Sequence, residues 1–296
     1  MPPTRSAIPQ PIIDLYDEYT HAPLDRRAFL ERLAALAGGS AAAYALLPVL
    51  ENNYAVAQIV APDDARLKTE EASIPAPGGG TVAAYVAKPA DAAGPLPAVV
   101  VIHENRGLNP HIRDVARRMA LEGYVAVAPD LLSSAGGTPA DEDKAREMIG
   151  QLDAEKTLAE ALAVVDYARR GRDDVTGRVG TVGFCWGGAL VNRVAAADPQ
   201  VNATVSYYGR QPSAEEAKKI AAPLMLHYAS LDERINAGIP QFTATLVEAG
   251  IPYTLHVYEG ANHAFNNDTN AARYDEQAAT LAWQRTTDFF ARHLKG

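Results

Sequence analysis

The sequence predicts an α/β fold built on a mainly parallel, doubly wound sheet. Two observations predict it. Short apolar runs recur from about Arg66 onward, and stretches with helical spacing separate them. Continuous rather than alternating runs suit strands covered on both faces, as helical crossovers require.

The elements follow in order. Thr81–Ala87 reads as a strand, ended by Lys88-Pro89. Ala98–His103 is a fully apolar run of the central-strand kind. Ile112–Glu122 has helical spacing and stops at Gly123. Tyr124–Ala128 is the next strand, closed by Pro129-Asp130. A Gly/Ser loop over Ser133–Pro139 leads to helical stretches around 140–151 and 154–169. Val179–Phe184 reads as a strand and Gly187–Ala197 as a helix. Further strands are Ala203–Tyr208, Leu224–Tyr228 and Tyr253–Tyr258, with helices over 239–249 and 274–294.

The 296 residues suit one large α/β domain with an extension, with boundaries read as 1–65 and 66–296. A formal net charge of -9 argues against a nucleic-acid partner, because phosphate binding needs a basic surface. No disulfide can form within the chain, since Cys185 is its single cysteine.

Residues 1–65 allow two readings. Asp25-Arg26-Arg27-Ala28-Phe29-Leu30 precedes an uncharged stretch from Leu33 to Leu50, and Ala55-Val56-Ala57 offers a small-x-small cleavage site. That order matches a twin-arginine export signal and a periplasmic destination, slightly favoured here. The alternative is a retained, folded amphipathic extension, with Phe29, Leu30, Leu33 and Leu36 at helical spacing. Asp14, Asp17, Glu18 and Asp25 make the start acidic for a signal. Gly38, Gly39, Ser40 and Pro48 weaken the apolar stretch as an anchor, so no stable membrane insertion is expected.

The chemistry centres on Gly183-Phe184-Cys185-Trp186-Gly187-Gly188, placed between a strand and a helix. A nucleophile elbow needs that placement: the glycines permit a tight turn, and the nucleophile stands at the strand end. The helix N-terminus favours a thiolate and an oxyanion. The Trp186 backbone N–H, with that of Asn105, would hold the oxyanion. The expected order of nucleophile, acid and histidine is met by Cys185, Asp232 and His263. His263 would serve as base and Asp232 as its orienter.

Bland alternatives accompany each residue. Cys185 could be a buried filler in a chance motif. Asp232 could be a helix N-cap, with Glu233 as rival orienter. Among the other histidines, His103 ends a strand beside the site and is the nearest competitor. His227 and His256 fall in strands, and His21, His111 and His293 read as surface residues. No element carries metal-ligand spacing, so neither metal nor cofactor is expected.

With these motifs the sequence resembles the dienelactone hydrolase family, of α/β-hydrolase fold, from about Glu70 onward. The resemblance also rests on Val101–Gly107, Ser206-Tyr207-Tyr208-Gly209, Leu231-Asp232, Gly260–Phe265 and Ala282–Thr286. It implies that Glu104 contacts the resting cysteine and helps generate the thiolate. It also implies two arginines holding a substrate carboxylate, but Ser134 and Asn267 stand at those positions. A bidentate clamp cannot be rebuilt from Ser and Asn, so dienelactone itself is not the expected substrate. Arg106 and Arg210 are candidate substitutes, and Tyr207 and Tyr208 candidate pocket walls.

The expected activity is hydrolysis of a small ester or lactone through a cysteine thioester. The rivals are an amide substrate, and a hydrolase-fold thiol sensor or ligand-binding protein without turnover. Assembly as a homo-oligomer is left open.

Overall fold

The computed structural model describes residues 8–55 and 58–296. Eight strands form one sheet: β1 (Leu67–Pro75), β2 (Thr81–Pro89), β3 (Leu96–Ile102), β4 (Val125–Pro129), β5 (Val175–Phe184), β6 (Ala203–Tyr207), β7 (Leu224–Ala229) and β8 (Tyr253–Tyr258). The helices are α1 (Gln10–His21), α2 (Arg26–Ala37), α3 (Ser40–Leu50), α4 (Pro110–Leu121), α5 (Glu142–Gly150), α6 (Ala154–Arg170), α7 (Trp186–Ala197), α8 (Ala214–Ala217), α9 (Glu233–Asn236), α10 (Ile239–Glu248) and α11 (Glu276–Phe290).

The strand order is β1-β2-β4-β3-β5-β6-β7-β8. β2 runs antiparallel to both neighbours, and all other pairings are parallel. Side chains alternate across the strand, so β3 supplies both cores. Val99 and Val101 pack with α4 and α11 residues such as Ile112 and Phe290. Val100 and Ile102 pack with α6 and α7 residues such as Val164 and Val191. The apolar runs locate seven of the strands. They miss β1, whose Lys68, Glu70 and Glu71 are exposed and which pairs with β2 along the sheet edge. Charge on an edge strand discourages pairing with another chain.

The N-terminal helices form a folded cap on this body. Ile12, Leu15, Tyr16 and Tyr19 lie at helical spacing on α1 and meet Phe29, Leu33, Leu47, Leu50 and Ala272 in one buried cluster. Polar contacts fix the cap: Gln10 Nε2 donates to Asn262 Oδ1 at 2.6 Å, and Tyr19 Oη to Asp143 Oδ2 at 2.6 Å. Asn270 Nδ2 donates to the Leu50 carbonyl at 2.5 Å. Arg26 pairs with Glu51 and Asp143.

The uncharged stretch thus contributes to α2 and α3, which meet at 110°. Among the described residues no single helix is long and apolar enough to cross a membrane, although this bent pair passes together by length and composition. Val56 and Ala57 of the expected cleavage motif lie outside the described residues.

Candidate active site

The motif Gly183–Gly188 joins β5 to α7 and places Cys185 at the helix N-terminus with φ 55° and ψ −113°. A non-glycine residue there costs about 1–3 kcal/mol and persists only when its surroundings enforce it. The surroundings do so. The Cys185 N–H donates to the Tyr207 carbonyl at 3.0 Å, and its carbonyl accepts from Ala189 at 3.1 Å. A Cβ on Gly183 would lie 2.1 Å from the Gly187 carbonyl oxygen, and one on Gly187 would lie 2.4 Å from that of His103. Side chains at either position would push the turn apart.

Asp232 and His263 arrive on the loops after β7 and β8. His263 Nδ1 lies 2.5 Å from Asp232 Oδ2. Asp232 Oδ1 accepts from the Ile235 N–H at 3.3 Å, so the same carboxylate caps α9 and orients the imidazole. The two sequence alternatives for Asp232 are therefore not exclusive. Glu233 is exposed. His263 Nε2 is buried and has no hydrogen-bond partner among the described residues.

A second histidine reaches the sulfur. His21, the last residue of α1, places Nε2 3.2 Å from Cys185 Sγ. Its Nδ1 faces the Asp17 carbonyl oxygen at 2.8 Å and Asp17 Oδ1 at 3.1 Å. Its ring sits edge-on to that of His263, with centroids 4.5 Å apart. His21 was expected at the surface, and this is a correction. The sequence does show an amphipathic helix ended by Ala22-Pro23, but nothing in that pattern says which surface receives it. His111, also expected outside, is buried, 2.9 Å from Asp268.

The electrostatics follow from this crowding. Burial pushes the Cys185 thiol up, but His21 and then His263 outweigh it and lower the pKa from 9.0 to about 6. Burial opposes charge on His263, yet Asp232, Cys185 and Asp17 hold its pKa well above the usual value. His21 is also raised: burial lowers it, Cys185 raises it, His263 opposes and Asp17 supports.

Glu104 lines a small cavity with Cys185 but makes no hydrogen bond to it among the described residues. Its Oε2 accepts from Asn267 Nδ2 at 2.8 Å and its Oε1 from Tyr208 Oη at 3.4 Å. Asn267 thus anchors Glu104 instead of lining the cavity. The sulfur's hydrogen-bond neighbour is His21. Arg106 is buried in an ion pair with Glu142 at 3.0 Å. Ser134 is exposed in a short turn and does not line the cavity at Cys185. Tyr207 is buried under the site with Oη 2.7 Å from Thr286 Oγ1. Tyr208 and Arg210 do line the cavity. His103 is held by the Glu104 carbonyl and the Leu131 N–H and stacks on Trp186.

The cavity over Cys185 measures about 750 Å³. Trp186, Tyr208, Arg210 and His263 form one side, and 20–25 from the cap form another. Asn105 Nδ2 donates to the Thr20 carbonyl at 2.8 Å, tying the cap to the loop after β3. The reactive atoms of His21, Cys185 and His263 lie within 4.8 Å of one another. Spacing within single elements could not reveal this cluster, because the three residues come from three elements.

Strand order, elbow and loop positions define an α/β-hydrolase. The chain belongs to the dienelactone hydrolase family, whose model matches residues 82–294. A separate model, YqhI-like, matches residues 2–38. The "Putative carboxymethylenebutenolidase" of Escherichia coli is 35% identical over 248 residues, covering 78% of this chain and 89% of that protein. The crystal structure of the "Putative Dienelactone Hydrolase" of Klebsiella pneumoniae has a TM-score of 0.70 and 32% identity, covering 76% of this chain and 99% of that one. A dienelactone hydrolase-like promiscuous phosphotriesterase from metagenomic libraries shares the fold, with a TM-score of 0.69 and 22% identity, over 77% and 99%. The protein is a dienelactone hydrolase-like hydrolase.

Proposed function

We propose that the protein hydrolyses small carboxylic esters or lactones through a thioester on Cys185, with Asp232 and His263 completing a triad. The observation carrying this is the unpartnered, buried Nε2 of His263, whose other nitrogen is fixed by Asp232. Such a nitrogen is ready to exchange a proton with a leaving oxygen and then with water. Cys185 attacks the carbonyl, and the Asn105 and Trp186 backbone N–H groups receive the oxyanion. Glu104 acts at one remove, by fixing Tyr208 beside His263. Tyr208 and Arg210 are the proposed substrate contacts. The loss of the arginine pair at Ser134 and Asn267 points away from dienelactone itself.

Rapid quenching with p-nitrophenyl acetate is expected to leave an acetyl group on Cys185, read by peptide mass. Turnover without any adduct on Cys185 under burst conditions would sink the covalent route. Thiol oxidation without turnover would support the sensor reading.

The cap is proposed to remain in the working enzyme, since His21 and 20–25 line the cavity. The paired arginines then serve structure through Arg26. N-terminal sequencing of protein from its native host is expected to find the chain starting before Gln10. A start just after Ala57 would support twin-arginine export instead.

A further inference from the structure

We propose that His21 is a second catalytic histidine, delivered by the cap, which holds the Cys185 sulfur as a thiolate while His263 moves the protons. The inference rests on Cys185 being the nucleophile.

Two Asp–His pairs converge on one sulfur from opposite ends of the chain. Asp232–His263 comes from the loops after β7 and β8. Asp17–His21 comes from α1, with the two residues one helical turn apart, so their side chains share a face. The C-terminus of α1 also favours positive charge on His21. Pro23 follows the Ala22 cap and keeps the helix from continuing past the point where the imidazole meets the sulfur. The contact is fixed from both sides: Asn105 Nδ2 holds the Thr20 carbonyl, and Arg146 donates to the Tyr19 carbonyl. The charged groups around the pair include Asp17, Asp232, Arg234 at 3.5 Å and Arg273 at 3.7 Å from Asp17, with Glu104, Arg106, Asp25, Arg146, Glu147 and Arg210 lining the same cavities. Glu104, the family's expected partner of the thiol, hydrogen-bonds Asn267 and Tyr208, while the sulfur's hydrogen bond is to His21.

The proton balance assigns separate work to each ring. At rest the thiolate faces two imidazolium rings. The sulfur lone pair forms the S–C bond, and the carbonyl π pair moves to oxygen. Collapse breaks the C–O bond, and the leaving oxygen takes the Nε2 proton of His263. Neutral His263 then removes a proton from water as the water oxygen attacks the thioester. Collapse breaks the S–C bond, and the sulfur leaves as a thiolate facing His21, which has kept its proton throughout. Ester and water become acid and alcohol, and His263 is again protonated.

Cys185 is the only cysteine, so alkylation by iodoacetamide reads this thiol alone. In full-length His21→Gln, the midpoint of the alkylation rate against pH is expected to rise by about one unit or more. kcat is expected to fall about 10–100-fold with little change in KM. Asp17→Asn, which keeps the imidazole, is expected to shift the midpoint in the same direction by less. Near-ultraviolet circular dichroism checks that the variants are folded. Superimposable alkylation profiles in folded wild type, His21→Gln and Asp17→Asn would overturn the assignment. Cys185→Ala separates the two readings. If that variant still hydrolyses substrate, the nucleophile reading fails and this one with it. If it is inactive while His21→Gln titrates like wild type, only the role of His21 fails.

Discussion

Cys185→Ala is expected to lower kcat/KM for p-nitrophenyl acetate by about 10⁴-fold or more. Removing Sγ removes the atom proposed to form the covalent bond. The fold has little reason to suffer. The backbone contacts that fix the turn come from main-chain atoms and glycines, all retained in the variant. The expected result is therefore loss of turnover with a nearly unchanged melting curve. Activity within a few-fold of wild type would show that the reaction runs elsewhere. Cys185→Ser should retain more activity than alanine, yet far less than cysteine. The site is arranged to ionise a thiol with a pKa near 6, and a hydroxyl is too weak an acid to respond. The sign follows from that value: wild-type activity is expected to be present above about pH 6 and to fall as pH drops through it, as the thiolate is protonated.

Asp232→Asn is expected to reduce kcat by about 10²–10⁴-fold. Only an anionic carboxylate both accepts the hydrogen bond of the His263 Nδ1–H and stabilises the charged ring. An amide can present its NH₂ to Nδ1 and impose the wrong tautomer. The substitution separates two duties of one side chain. Asn still offers an oxygen to the Ile235 N–H, so the start of α9 should survive, with stability changed by less than about 1 kcal/mol. Asp232→Ala loses both functions and should also lower the melting temperature. A kcat for Asp232→Asn near wild type would remove Asp232 from the triad.

The sheet was largely legible because its central strands are buried on both faces and must be apolar throughout. β1 escaped because an edge strand is under the opposite pressure, and its charged residues hide the pattern. The positions of the proposed triad, Cys185, Asp232 and His263, were legible for a different reason. The elbow motif places Cys185 locally, and each proposed partner follows a recognisable strand. Nothing local announces His21, because its contact with Cys185 exists only once α1 has docked against loops far along the chain. Glu104 shows the converse limit. Its position follows the family pattern, while its direction is set by Asn267, a residue standing where a substrate-binding arginine was expected.

Consider the cap during synthesis. Gln10 leaves the ribosome 252 residues before its partner Asn262. Ala272, which seals the cap's buried cluster, emerges later still. At a few residues per second, about 5–20, the first three helices wait many seconds for their dock. A nascent chain therefore carries His21 and Cys185 before it carries His263 and the loops on which the cap docks. The surroundings that lower the thiol's pKa are assembled only once the segment around Asn262 and His263 has met the cap, which ties the ionisation of this sulfur to docking of α1.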